Sequence, residues 1–89
     1  MRHITVDAAQ WKTVSDLHRD LKEKMGFPEY YGNNLDALHD VLTECRDTEL
    51  TVLGAFSMTA AFGERADAVF SVLMDSAEEN PGFRLRLKS

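Results

Sequence analysis

Apolar residues follow two rhythms along this chain. At the start, Ile4 and Val6 alternate with His3 and Thr5, which predicts a short strand over 3–6. The spacing then changes. Val14, Leu17, Leu21 and Met25 recur at helical intervals and predict a helix over 14–25. Thr13 and Asp16 frame its start as a capping box, Gly26 suits its end, and Pro28 bars continuation. The segment FPEYYG over 27–32 reads as a loop. Leu35, Leu38, Leu42 and Cys45 then mark a second helix over 34–45, with Asn33 and Asn34 as N-cap candidates. Residues 46–49 read as a polar turn and 50–53 as a second strand, with Gly54 at its end. Residues 57–63 predict one short helical turn. From Glu64 onward, Ala66, Val69, Phe70, Leu73 and Ala77 mark a third long helix, stopped by Asn80-Pro81-Gly82. Phe83, Leu85 and Leu87 alternate with Arg84, Arg86 and Lys88 in a closing strand.

Strands separated by helical crossovers pair in parallel. The predicted fold is therefore α/β: a small two-layer domain over 1–89, with a three-stranded parallel sheet packed by three to four helices. All three strands alternate, so one sheet face is expected to be wetter than parallel sheets usually allow. Trp11, Phe70 and Phe83 are expected in the core, with Met58 and Phe62 beside them.

Composition narrows the function classes. With 15 acidic against 10 basic residues, the net charge is −5, which phosphate backbones repel. Direct nucleic-acid binding is disfavoured, and a basic partner would be steered inward. The single cysteine, Cys45, rules out an internal disulfide, and no Cys/His spacing suits zinc. No cofactor is expected. No apolar run approaches membrane-spanning length. The opening MRHITVDAAQ lacks a signal-length apolar run, which with the lone thiol points to the cytoplasm. The chain carries no GxGxxG, no GxxxxGK[ST] and no GxSxG, so no enzyme is indicated. Cys45 sits on its helix's apolar stripe as a structural thiol. His3 and His18 read as surface or rim residues.

The second helix is the informative element. Asp36 and Asp40 are neighbours at i and i+4, both away from the leucine stripe, and like charges so placed cost a helix roughly 0.2–0.5 kcal/mol. His39 and Thr43 border the same face. Tyr30 and Tyr31 precede it, with Gly32 as a tight reversal. Spacing leaves two readings open: a solvated helix face beside a tyrosine-anchored loop, or a binding surface of aromatics and fixed carboxylates.

The segment PEYYGNNLDALHD over 28–40 resembles the signature of barstar, the intracellular inhibitor of the secreted bacterial ribonuclease barnase. VSDLH over 14–18, the chain length and the element order resemble that family as well. The resemblance implies a small parallel sheet packed by helices. It also implies one-to-one binding of a small, secreted, guanyl-preferring ribonuclease by the second helix and its preceding loop. Asp40 would then stand where the substrate's phosphate goes, against the enzyme's basic catalytic residues. Asp36 would add a second charged contact, Tyr30 would stack in the cleft and Tyr31 would support the loop. Gly32 and Asn34 would give close backbone or amide contacts, and Thr43 would lie at the helix's far edge. Three positions depart from the family's pattern. His39 replaces a tryptophan, and beside Asp36 and Asp40 it would make binding pH-sensitive. Cys45 replaces another aromatic. The family's acidic residue in the last long helix falls near Asp75 or Ser76. The alternative partner is a non-nuclease toxin or regulatory protein bound through the same helix.

Overall fold

A computed structural model describes residues 1–89. Its strands are β1 (Arg2–Asp7), β2 (Thr48–Leu53) and β3 (Phe83–Leu87); its helices are α1 (Val14–Met25), α2 (Leu35–Glu44), α3 (Ser57–Phe62) and α4 (Ala66–Glu79). The sheet order is β1-β2-β3, parallel throughout, with Ile4, Leu50 and Leu85 level across the ladder. The α/β fold predicted from spacing is the one observed.

Alternation in the strands divides the sheet into two unlike faces. On one, Val6, Thr48, Leu50, Val52 and Phe83 are buried with Leu17, Leu21, Leu38, Leu42 and Leu73 from the helices. On the other, Glu49 lies between polar neighbours, with His3 Nδ1 at 3.4 Å and Arg86 Nη1 at 3.9 Å. β2 begins at Thr48, inside the segment predicted as a polar turn, because Thr48 is β-branched and wholly buried at the edge of the core.

The start of α1 is fixed as predicted. Asp16 N donates to Thr13 Oγ1, and Thr13 N donates to Asp16 Oδ2. Lys12 N also donates to Asp16 Oδ2, and it and Thr13 N together hold the Asp16 carboxyl below its usual range. At the other end Gly26 takes φ 72°, a left-handed value. Trp11 is buried ahead of this helix: its indole stacks on Phe62 with centroids 6.5 Å apart, and Nε1 donates to Asp20 Oδ2 at 2.8 Å. Phe83, Met58 and Phe62 are buried as expected.

Three further details differ from the sequence reading. Phe70 is only half-buried, at the margin of the core, where it borders exposed Phe56. A 3-10 turn over Gly63–Arg65 precedes α4, which starts two residues later than predicted. His18 is no surface residue. It is 2 % exposed, on the inner face of α1 beside Leu17 and Leu21.

Candidate partner-binding site

Adjacent tyrosines go opposite ways. Tyr31 turns inward against Phe27, with centroids 4.8 Å apart, and its hydroxyl shares a 2.5 Å hydrogen bond with His18 Nδ1. Burial pushes this phenol far up from its ordinary value, and burial followed by the Arg65 guanidinium pushes the His18 imidazole down. Both groups are thereby kept neutral, as an uncompensated interior pair must be. Tyr31 N also donates to Pro28 O at 2.9 Å, closing the turn. With Tyr31 anchored, Tyr30 is thrown outward and is 88 % exposed. Tyr31 thus supports the loop from within, and Tyr30 is the ring on offer.

The loop passes into α2 through three small or amide residues. The tight reversal expected at Gly32 is made with the next residue, Asn33, in the left-handed region at φ 52°. Asparagine tolerates that region best among non-glycine residues. Gly32 leaves room for the Asn34 amide: an added Cβ would sit 3.1 Å from Asn34 Nδ2 and press on it. Asn34 Oδ1 accepts from Ala37 N at 2.8 Å, capping α2, while Nδ2 donates to Gly32 O. The Asn34 amide therefore chiefly shapes the loop.

On α2, Leu38 and Leu42 are buried and Asp36 and Asp40 are exposed. Neither aspartate enters any ion pair, and the helix carries no Lys or Arg. Asp36 gains from the positive end of the helix dipole, and Asp40 is too far along to gain as much. Thr43 Oγ1 donates to the carbonyls of His39 and Asp40, so its hydroxyl is already engaged. Cys45 Sγ donates to Val41 O at 3.2 Å, and burial raises its thiol, with Glu44 adding to the rise and Arg2 opposing it. It is no activated nucleophile.

His39 does not sit as expected. Its Nε2 meets Glu79 Oε2 of α4 at 2.5 Å rather than Asp36 or Asp40. Asp75 is exposed one turn before Glu79 on α4, while Ser76 is wholly buried and its Oγ has no hydrogen-bond partner. Of the two α4 positions left open by the sequence, only Asp75 faces solvent. Glu79 and Asn80 were missed. Asn80 Nδ2 donates to Leu42 O and Cys45 O at 2.9 and 2.8 Å, clamping the end of α2, and Oδ1 accepts from Gly82 N. Only the helix-stopping role of Asn80 was legible locally.

The arrangement is an outward ring, an unpaired acidic helix face and a hydrogen-bonded frame behind both. A family model described as "Barstar (barnase inhibitor)" matches residues 1–88. The chain belongs to the barstar family. Among its relatives is a protein of Bacillus subtilis (strain 168) named "Putative ribonuclease inhibitor YrdF". The two are 46% identical over 81 residues, covering 89% of this chain and 89% of the relative. The barstar family is one of inhibitors, not enzymes, and this chain stands with them. No group of three or more His, Cys, Asp or Glu side chains could hold a metal ion, and no helix is long and apolar enough to cross a membrane.

Proposed function

We propose that this chain is the cytoplasmic immunity protein of a small, secreted, barnase-like ribonuclease of guanyl preference, binding it one to one as a single domain. α2 and the 27–32 loop cover the enzyme's active site. Asp40 takes the place of a substrate phosphate oxygen, accepting charge-assisted hydrogen bonds from the basic catalytic residues. Asp36 adds a second acceptor near the helix start, Tyr30 stacks in the cleft, and Asp75 flanks the contact from α4. Gly32 lets the loop backbone approach closely.

The observation that carries this reading is the unpaired state of Asp40 on a frame fixed by Tyr31, Asn34 and Asn80. A carboxylate lacking an internal cation has no ion pair to break on meeting an external one. Opposite charge also speeds encounter, an effect for which barnase and barstar are themselves a reference case.

Calorimetry and RNA-cleavage assays against a panel of small bacterial ribonucleases test the proposal. A one-to-one complex that is weakened by an active-site mononucleotide is the expected result. Complexes unaffected by nucleotide would place the contact elsewhere. Inhibition of none of them, with capture of a non-nuclease toxin instead, would favour the alternative partner.

A further inference from the structure

A groove of about 460 Å³ runs between the 27–32 loop and α2, beside Asp40. Phe27, Val41 and Cys45 give it an apolar floor, and exposed Tyr30, Asp40 and Glu44 stand along its rim. The floor is open because Cys45 is short. Glu44 stands against its own helix's electrostatics. It follows Asp40 by four residues, lies at the negative end of the α2 dipole and enters no ion pair. Free α2 gains nothing from that carboxylate. It becomes favourable only when a cation arrives between the two acids.

We infer that this groove receives an arginine side chain of the partner nuclease, an inference that rests on the inhibitor reading above. The site makes three demands, and arginine meets all of them. Its aliphatic stem covers the apolar floor. Its planar guanidinium stacks on the Tyr30 ring. Its fork of donors bridges two carboxylates one helical turn apart. A lysine ammonium can neutralise the acids but offers no plane to stack, and an acidic side chain is repelled. Glu44 and Cys45 therefore select among nucleases: Cys45 by leaving room, Glu44 by charge.

The test uses the free protein and needs no nuclease. N-acetyl-arginine methylamide is titrated into isotopically labelled protein, with the norleucine counterpart as the apolar control, and NMR shifts are followed. The arginine probe is expected to move the resonances of Phe27, Tyr30, Val41 and Cys45, and the norleucine probe to leave them nearly unmoved. Glu44→Gln should weaken arginine binding about two- to fivefold, the range of an exposed ion pair. Cys45→Phe should fill the groove and abolish the shifts. The proposal is overturned if norleucine moves the same resonances as strongly, if Glu44→Gln leaves binding unchanged, or if the arginine probe moves none of them. Inhibition by Asp40 can survive that outcome, and the groove can bind arginine even if no ribonuclease is inhibited, so the two readings fail separately.

Discussion

His39 of α2 and Glu79 of α4 meet at 2.5 Å across 40 residues of sequence, Nε2 to Oε2. The contact joins the helix that bears Asp36 and Asp40 to the helix packed behind it. It also engages His39 Nε2 within the free protein. Single substitutions His39→Ala and Glu79→Ala are expected to be non-additive. A double-mutant cycle in urea should return a coupling of about 0.2–1 kcal/mol, given the partial exposure of both groups. Additive effects would show that the contact does not tie the helices.

The interior pair His18 and Tyr31 makes stability depend on pH. Burial holds the folded-state pKa of His18 below its ordinary value of 6.5. The unfolded chain therefore takes up that proton before the native chain does. Stability from this source is complete above pH 6.5. It is lost as pH falls through that value toward the folded pKa. Urea midpoints at pH 7.5, 6.5 and 5.5 should decline in wild type, with a flatter decline in His18→Asn. Parallel declines in the two proteins would remove His18 as the cause.

Asn80→Ala should destabilise the fold by about 1–3 kcal/mol, because the carbonyls of Leu42 and Cys45 lose their donor at the end of α2. Chemical denaturation measures the loss. An unchanged midpoint would mean that water replaces the amide without cost.

Much of this fold was legible because helix and strand periods are printed in the positions of Leu17, Leu21, Leu38, Leu42, Leu50 and Leu85. The Thr13–Asp16 box and the Asn34 cap act within four residues of themselves, so local sequence specified them. The acidic face of α2 followed from the i, i+4 spacing of Asp36 and Asp40. The missed features depend on chain segments far apart. His18 is polar by type, and its burial needs a neutral phenol supplied from Tyr31. The opposite turns of Tyr30 and Tyr31 were implied by the family resemblance and not by spacing; contacts of Tyr31 with Phe27 and His18 hold them. Glu79 and Asn80 acquire their roles only when α4 is laid against α2.

Asp40 costs the free protein some stability. Its charge repels Asp36 and Glu44 one turn to either side, at roughly 0.2–0.5 kcal/mol per pair. Asp40→Asn should therefore unfold at a slightly higher urea concentration than wild type, by less than about 1 kcal/mol in stability. A loss of stability would show that Asp40 has a structural partner after all.

The central claim is that Asp40 fills the phosphate site of a ribonuclease. The most direct measurement compares inhibition constants of wild type and Asp40→Ala against the small bacterial ribonuclease that the wild type inhibits best. Truncating one side of a buried charged pair should weaken inhibition by at least roughly thirtyfold. An Asp40→Ala protein that is folded and inhibits as well as wild type would contradict the assignment.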